Sequence, residues 1–446
     1  MTMYLSKKKT KSLFVTLASL TLLTGASCDG VSASVDSSSG DSSVQENGWG
    51  VFTEDDYLKV DGTSVRTQKG EGDPVILRGT NAGGYLVIEQ WMTALQGSSQ
   101  TGYLDHKTVT DIFVERFGEE ETVNLWTYYR ENYWTDYDFQ NCADMGMNVI
   151  RLPFSYMSVD PDYCNVPEKE GEEFNFDVLD AFVEKAAEYG MYTILDLHGA
   201  YGSQNGQDHS GEQMSSADEV DFFYNEEKQN KTIHLWEEIT KHYQGNPAVA
   251  AFDLLNEPAE KGGSTTTRHW EFYNKCNDAI RAIDEDRILI YESCWDGANL
   301  PHPDTYGWEN CIYSFHNYSG SSDTSTNVAS FQTKFNGVYG QNFNVPYYMG
   351  EFNCYGNRES WKQTLGLLNT NAWHWTTWTY KLNITYDGAY PGWGIYYTRA
   401  ESVVPDQDSI ETIYEKWDKI ATAHIDTQDM TFDGDTTLAN LMKNYL

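Results

Sequence analysis

Eight short apolar runs recur along this chain and constrain its fold more than any other feature. They span residues 75–79, 148–153, 191–197, 249–255, 287–292, 311–316, 345–351 and 373–380. Runs of this length without polar alternation are typical of parallel strands that are buried on both faces. Helical patterns lie between several of them. In 177–189, for example, Val178, Phe182 and Ala186 form one apolar stripe, and Gly190 offers a stop.

Strands that alternate with helices over this length predict an α/β fold, specifically a (β/α)8 barrel. An open, doubly wound sheet is the competing architecture, but no glycine-rich phosphate loop supports it. In a barrel, chemistry gathers where the strands end. Polar or aromatic residues stand at six of the predicted strand ends: Arg151, His198, Asn256, Glu257, His316, Tyr318, Glu351 and Trp378. This placement predicts a single shared site.

Two of these residues, Glu257 and Glu351, are acids that end apolar runs. A pair of facing carboxylates is the machinery that cleaves glycosidic bonds. The alternative, two strand-end acids on unrelated surfaces, stays open at this point.

Composition narrows the range of partners. The formal net charge is −37, from 30 basic and 67 acidic residues, and such a field repels nucleic acids and anionic membranes. A neutral polysaccharide is compatible with this charge. The 14 Trp and 31 Tyr residues suit stacking on sugar rings, although most aromatic side chains are expected to fill the core.

The N-terminus has the pattern of an export signal. A basic start, an apolar stretch at 13–23 and small residues before Cys28 predict a signal peptide over 1–28, with either plain secretion or a lipid anchor through Cys28. The Ser-rich segment 29–47 reads as a flexible linker, and 48–446 as one catalytic domain. We therefore expect a protein that is secreted or tethered to the outer cell surface.

The sequence leaves open whether the remaining cysteines form disulfides. Disulfides and free buried thiols are both compatible with six cysteines in an exported chain: Cys142, Cys164, Cys276, Cys294, Cys311 and Cys354. No Cys-x-x-Cys pair or metal-ligand histidine spacing occurs, so we expect no metal.

Several motifs resemble glycoside hydrolase family five, especially its exo-β-1,3-glucanase branch. They follow the order of the family and lie at 78–93, 133–139, 146–153, 196–211, 256–258, 315–318, 350–353 and 377–381. The most specific is 196–211, which reads DLHGAYGSQNGQDHSG. The similarity covers about residues 75–381, most of the predicted catalytic domain.

The resemblance implies a retaining β-glycosidase that needs no cofactor, with Glu257 as general acid/base and Glu351 as nucleophile. Arg151 and Tyr318 would donate hydrogen bonds to Glu351, and Asn256 would bind the sugar 2-hydroxyl. The family pattern assigns the pocket for the non-reducing sugar to Glu89, His198 and His316, and its aromatic floor to Trp378. We expect a β-glucan or oligosaccharide substrate and a monomeric protein.

Departures from the branch leave the linkage open. Gln207 and the polar segment 319–322 stand where the branch has two Phe residues that clamp the acceptor sugar. Tyr201 replaces a Pro and His209 an Asn, and an acidic insertion at 208–228 either walls the cleft or lies in solvent. An endo-acting enzyme on β-1,4-glucan, mannan or mixed-linkage glucan is therefore an alternative, as is a non-catalytic carbohydrate-binding protein.

Overall fold

Eight parallel strands close a barrel in the computed structural model, which describes residues 48–216, 219–260, 267–293, 299–321, 323–384, 392–424 and 437–446. The barrel strands are β4 (Arg78–Asn81), β5 (Val149–Ser155), β6 (Tyr192–Gly199), β7 (Val249–Asp253), β8 (Ile288–Glu292), β9 (Cys311–Tyr318), β10 (Tyr347–Asn353) and β11 (His374–Thr377). Each pairs with the next along the chain, and β11 pairs with β4 to close the ring. The predicted (β/α)8 barrel is confirmed.

The helices lie outside the barrel, and most of them bury the outer faces of its strands. They are α1 (His106–Phe117), α2 (Glu119–Tyr133), α3 (Asp136–Met145), α4 (Asp177–Glu188), α5 (Glu226–Tyr243), α6 (Arg268–Arg281), α7 (Thr324–Gln341), α8 (Arg358–Thr370), α9 (Ile410–Asp418) and α10 (Leu438–Met442). Every residue of β5 and β6 is buried, as expected for parallel strands covered on both faces. In α4, the predicted stripe is buried at Phe182 and Ala186, whereas Val178 is half-buried. Gly190 has a φ of +73° just beyond this helix, which fits its predicted role as a stop.

The predicted strand limits differ most at the first and last barrel strands. The run 75–79 was expected to be one strand, but its start belongs to a separate antiparallel sheet of β1 (Lys59–Asp61), β2 (Ser64–Arg66) and β3 (Pro74–Val75). The run 373–380 ends as a barrel strand at Thr377, because the chain then turns into β12 (Lys381–Asn383), which pairs with β13 (Tyr396–Thr398). Apolar character alone does not distinguish a barrel strand from a neighbouring strand in another sheet.

The small β1–β2–β3 sheet lies at the N-terminal end of the barrel. Lys59 contacts Asp286, and the backbone N–H of Val60 donates to Asn310; both partners precede barrel strands. The opposite, C-terminal end carries the loop after β4, which packs with α1, α2 and α9 around a second apolar cluster that includes Ile88, Trp126 and Trp417. Loops at this end therefore have their own hydrophobic support.

Some predictions for the N-terminus and the cysteines concern residues outside the described ranges. The predicted signal peptide, Cys28 and the Ser-rich linker lie outside them, as does Cys294. The other five cysteines, Cys142, Cys164, Cys276, Cys311 and Cys354, are free thiols, so the disulfide alternative does not hold for them. Within the described ranges, no helix combines the length and apolar character needed to cross a bilayer.

Candidate active site

The C-terminal ends of the barrel strands bring all nine predicted site residues to one place. Seven line a single cavity of about 390 Å³: Glu89, His198, Asn256, Glu257, Tyr318, Glu351 and Trp378. Arg151 and His316 lie against its carboxylates and complete the set. The residues selected at strand ends therefore share one cavity region with Glu89 from the loop after β4, and their roles stay predictions.

The two predicted catalytic acids face each other. One carboxylate oxygen of Glu257, one of Glu351 and a ring nitrogen of His316 all lie within 4.8 Å of one another. Both acids are almost fully buried, with 6% of Glu257 and 4% of Glu351 exposed. An oxygen–oxygen separation of no more than 4.8 Å is compatible with the close carboxyl groups of retaining glycosidases, roughly 5–5.5 Å apart, and is shorter than the about 6.5–9.5 Å of inverting enzymes.

Glu351 is held ionised by hydrogen-bond donors on both oxygens. Arg151 Nη1 donates to Oε1 at 2.8 Å, and the Tyr318 hydroxyl donates to Oε2 at 2.7 Å. Burial alone would raise the pKa of Glu351, but the charges of His316 and Arg151 outweigh it and lower the pKa to about 2. The carboxylate is therefore available as a nucleophile across the ordinary pH range.

The pKa of Glu257 is shifted in the opposite direction. Burial raises its pKa to about 7, although the hydrogen bond and charge of His316 oppose the shift and the charge of Glu351 adds to it. Its Oε1 lies 2.8 Å from His316 Nδ1, and its Oε2 lies 3.3 Å from His209 Nε2. Two carboxyl groups with well-separated pKa values have the character of an acid and a nucleophile.

Arg151 is fully buried in β5 and organises the base of the site. Besides Glu351, its guanidinium contacts Asn256 Oδ1 at 2.9 Å. Burial alone would lower the pKa of Arg151, but the surrounding carboxylates raise it well above its usual value. The sequence analysis did not select the three further acids around Arg151, which are Asp196 at 3.0 Å, Asp253 at 2.9 Å and Glu292 at 3.7 Å. Each lies near the end of a barrel strand, so the same strand-end rule could have found them.

His198, Asn256 and Trp378 form a second connected group. The His198 and Trp378 rings stack nearly parallel, 5.3 Å apart at 3°. Asn256 Oδ1 accepts from Arg151, so its Nδ2 faces His198 Nε2 at 3.3 Å, while His198 Nδ1 lies 2.7 Å from Asp196. Burial lowers the pKa of His198 to about 3, which keeps the imidazole neutral. These contacts fix the side-chain amide of Asn256 beside the carboxylate pair.

Glu89 reaches the cavity from the loop after β4 and is braced by an indole that the sequence analysis did not select. Trp91 Nε1 donates to Glu89 Oε2 at 2.7 Å. Burial and the nearby charge of Asp208 raise the pKa of Glu89 well above its usual value. Trp91 packs edge-on against Trp393 at 5.1 Å, and Trp393 contacts Tyr318 at 5.6 Å. Trp91 and Trp393 thus form an aromatic wall from Glu89 towards the carboxylate pair.

The departures from the exo-β-1,3-glucanase pattern have different structural consequences. Tyr201 stacks on Tyr156 at 4.3 Å and donates to Asp160 at 2.6 Å, which ties down its loop. His209 lines the cavity, but Gln207 is exposed. The predicted insertion 208–228 therefore contributes to the cleft at its start, while its last residues form the first turn of α5.

One side-chain group among the described residues has the geometry to hold a metal ion, and it is Glu257, His316 and Glu351. The same atoms already contact one another, and Glu351 also accepts from Arg151 and Tyr318. A cation there would lie beside a guanidinium group, which disfavours it electrostatically. The absence of a metal from the reaction stays a prediction.

Comparison with known proteins agrees with the class of site that these carboxylates define. The sequence model of the cellulase family, glycosyl hydrolase family 5, matches residues 112–383. The chain belongs to this family.

Curated relatives and a solved structure extend the comparison. "Beta-xylosidase" of Phanerodontia chrysosporium is 32% identical over 59% of this chain and 52% of the relative. "Probable glucan 1,3-beta-glucosidase A" of Aspergillus fumigatus is 29% identical over 57% of this chain and 60% of the relative. The chain thus spans about half to three fifths of the length of these relatives. The crystal structure of rutinosidase from Aspergillus niger superposes with a TM-score of 0.53 at 18% identity, over 72% of this chain and 93% of the other, which shows the shared fold.

Proposed function

We propose that this protein is a retaining β-glycosidase that acts on β-glucan or gluco-oligosaccharides and removes β-1,3-linked glucose from chain ends. The observation that carries the proposal is the facing pair Glu257 and Glu351, whose oxygens lie within 4.8 Å and whose pKa values are shifted to about 7 and about 2. Glu257 is the proposed acid/base and Glu351 the nucleophile.

In the first step, a carboxylate oxygen of Glu351 attacks the anomeric carbon while Glu257 gives its proton to the leaving oxygen. The glycosidic C–O bond breaks, and a glycosyl ester forms on Glu351. Negative charge therefore moves from Glu351 to Glu257. His316 Nδ1 lies 2.8 Å from Glu257 and 3.4 Å from Glu351, so it stabilises the charge in both states. In the second step, a water molecule gives a proton to Glu257 and attacks the anomeric carbon, which breaks the ester bond, releases the sugar with its configuration retained and restores the Glu351 carboxylate.

Other residues of the cavity are proposed to bind the donor sugar. The Asn256 amide, oriented by Arg151 and His198, is placed to contact the 2-hydroxyl, and Trp378 to support the ring face. Glu89, braced by Trp91, is proposed to hydrogen-bond the far hydroxyls of the non-reducing sugar. A carboxyl group and an indole at one end of the cavity favour a closed pocket, and hence release of single sugars, over an open groove.

The relatives support glucose as the donor, through "Probable glucan 1,3-beta-glucosidase A", and make xylose the nearest competitor, through "Beta-xylosidase". A panel of p-nitrophenyl β-glucoside, β-xyloside and β-mannoside tests the donor. Laminarin, cellulose and lichenan, with sizing of early products, test the linkage and the mode of attack. We expect glucose as the first product from laminarin; early mixed oligosaccharides would replace the exo assignment with an endo one.

The stereochemistry tests the double displacement directly. Proton NMR of the first product formed should show the β anomer, and a 2-deoxy-2-fluoroglucosyl fluoride should add its sugar mass to the peptide that contains Glu351. An initial α anomer would contradict the retaining mechanism. Glycan binding without any hydrolysis would favour a non-catalytic carbohydrate-binding protein.

Export and anchoring are separate proposals that rest on the sequence of residues 1–47. We propose cleavage of the signal before Cys28, with either a free N-terminus or a lipid on the cysteine. Mass spectrometry of the mature N-terminus, expressed with its leader in a bacterial host, distinguishes a diacylglyceryl adduct from an unmodified chain.

A further inference from the structure

A second cavity, of about 400 Å³, lies outside the barrel among residues of α2, α3 and α4. None of the residues that line it also lines the active-site cavity. Its floor is buried and apolar: Phe139 is 4% exposed, Phe182 2% and Val166 3%. Tyr85, from the loop after β4, packs against Phe182 with ring centroids 5.4 Å apart. The cavity thus offers apolar surface that the proposed reaction does not use.

One charged side chain, Arg130 of α2, belongs to this floor and is 8% exposed. Its Nη2 donates to the backbone carbonyl of Asn165 at 2.7 Å and lies 3.4 Å from Thr127 Oγ1. Among the described residues, the guanidinium makes no other hydrogen bond, and no carboxylate oxygen lies within 4 Å of it. Protein atoms do not enclose Nε and Nη1, so these two nitrogens remain open to the cavity.

The charge of Arg130 lacks a close partner. Burial lowers the pKa of Arg130 to about 10, although charge interactions with Tyr85 and Glu131 oppose the shift, so the guanidinium is still charged at neutral pH. A buried cation costs free energy unless an anion pairs with it. Arg151, by contrast, contacts four carboxylates. The second cavity therefore lacks an anion next to Arg130.

A second donor in the same cavity also lacks a partner. Trp134 lines the cavity and is 5% exposed, and within the described ranges its Nε1 is buried without a hydrogen bond. The amide of Asn175 is different, because Oδ1 accepts from the backbone N–H of Asp177 and Nδ2 donates to the carbonyl of Pro167. The groups left without partners are thus donors, and a ligand that completes the site must bring acceptors.

The acids of this cavity lie at its exposed rim and not in its floor. Asp136 and Asp177 are both exposed. Lys185 Nζ lies 3.5 Å from Asp136, and Lys169 Nζ lies 2.5 Å from Asp177. Water and salt screen charges at the rim, whereas a charge in the floor acts through a medium of lower polarity. The positive charge of Arg130 therefore dominates inside the cavity.

We propose that this cavity binds a small organic carboxylate with an aromatic or branched apolar body. The carboxylate would accept charge-assisted hydrogen bonds from the open N–H groups of Arg130. The apolar body would cover Phe139 and Phe182, which gains the free energy of burying apolar surface. A neutral saccharide is disfavoured, because it would leave Arg130 without an anion and place hydroxyl groups against the apolar floor. The site goes beyond the proposed hydrolysis and does not depend on it.

The test compares 3-phenylpropionate with 3-phenylpropionamide, which has nearly the same shape but no charge. Isothermal titration calorimetry of the wild-type protein should give a Kd of about 1 mM for the carboxylate, the strength expected of so small a ligand. The amide should bind about 10-fold more weakly, because it cannot form a charge-assisted pair. In Arg130→Met, the carboxylate should lose this advantage, so that acid and amide bind alike. Equal binding of the two probes to the wild type would overturn the proposal.

A second variant carries the test even where Arg130→Met fails to fold. Ala181 lines the cavity and is exposed on α4, so Ala181→Trp should fill the cavity while Arg130 stays in place. We expect it to weaken binding of 3-phenylpropionate at least about 10-fold, through loss of the charge-assisted pair. Ala329→Trp is the matched control, because Ala329 is exposed on α7 and is not among the residues that line the cavity. Unchanged binding in Ala181→Trp would refute the site.

Two further measurements separate this inference from the proposed function. Glu351→Gln should bind 3-phenylpropionate as the wild type does, because Glu351 belongs to the other cavity. A loss in that variant would place the probe in the active site and overturn the proposal. Laminaribiose should bind no more weakly to Ala181→Trp than to the wild type; a loss specific to this variant would make the ligand a neutral saccharide instead of a carboxylate. Neither binding measurement requires activity.

Discussion

Two buried arginines at opposite ends of the barrel show how differently one residue type can be used. Arg287 precedes β8 at the N-terminal end, and its guanidinium donates to the backbone carbonyls of Tyr243, Asn246 and Val249. Arg151, at the C-terminal end, lies among carboxylates instead. Arg287 and Arg151 are 1% and 0% exposed, so burial does not explain the contrast.

The difference lies in the charge of the partners. Arg287 donates to neutral carbonyls that tie loop ends to the barrel, and the carboxylate of Asp284 lies farther off, 3.8 Å from its Nε. The carboxylates around Arg151 share one positive charge. Glu351 stays ionised beside it, whereas burial raises the pKa of other acids there, such as that of Asp196 to about 7. The C-terminal end therefore holds buried carboxyl groups with shifted pKa values, which can take part in a reaction. Arg287 at the N-terminal end has a structural role.

The largest effect should come from the nucleophile. Glu351→Gln should lower kcat/KM on an aryl β-glycoside by at least about 10⁴-fold, because an amide cannot form the glycosyl ester. Circular dichroism should show an intact fold. Full retained activity would sink the enzyme assignment for this site.

Replacing each arginine by methionine tests the comparison directly. Arg151→Met leaves buried carboxylates without their cation, and we expect a loss of about 3–5 kcal/mol in the free energy of unfolding. Activity of the folded protein should fall about 10²–10³-fold, as for other lost electrostatic contacts in an active site. The acid limb of the pH profile should also move to higher pH.

Arg287→Met is the matched variant. It leaves backbone carbonyls unsatisfied, and we expect a loss of about 2–3 kcal/mol in the free energy of unfolding. The kcat/KM of the folded fraction should not change. Denaturant unfolding and kinetics on the same samples separate the two variants, and an activity loss in Arg287→Met equal to that in Arg151→Met would break the comparison.

A smaller effect concerns the alkaline limb of activity. The pKa of Glu257 is raised to about 7, and a general acid must be protonated, so kcat/KM should be maintained below that pH and fall as the pH rises through it. Glu351, with a pKa of about 2, should impose no acid limb above about pH 3. In Glu257→Gln, the alkaline limb should disappear; its survival would assign it to another group.

The smallest effect is expected at the N-terminal end, at Asp286. This carboxylate contacts Lys59 and Lys69 at 2.7 Å each and is 23% exposed. Hydrogen bonds from Lys59 and Lys69 lower its pKa, so its contribution to stability is present above the unfolded pKa of about 3.9 and is lost as the pH falls through the folded value. Asp286→Asn should cost about 0.5–1 kcal/mol at pH 7 and leave activity unchanged, as measured by thermal unfolding and kinetics.

The barrel and the carboxylate pair were predictable from the sequence because both follow from local pattern. Parallel strands must be apolar on both faces, and barrel chemistry must come from strand ends, so Glu257 and Glu351 could be selected by position. Glu292 was missed although it ends a strand by the same rule. Trp393 follows no strand and gave no comparable signal, since its place in the cavity depends on its contact with Trp91, which is distant in the sequence.

The sequence by itself determined the order of strands, the polar residues at their ends and the identity of the two acids, because these are properties of single segments. Tertiary structure alone decided that the pKa of Glu257 is raised while that of Glu351 is lowered, and that Arg151 contacts four carboxylates. The physical reason is that a pKa or a tautomer is set by burial and by partners across space. Those partners belong to segments that meet only when the barrel closes.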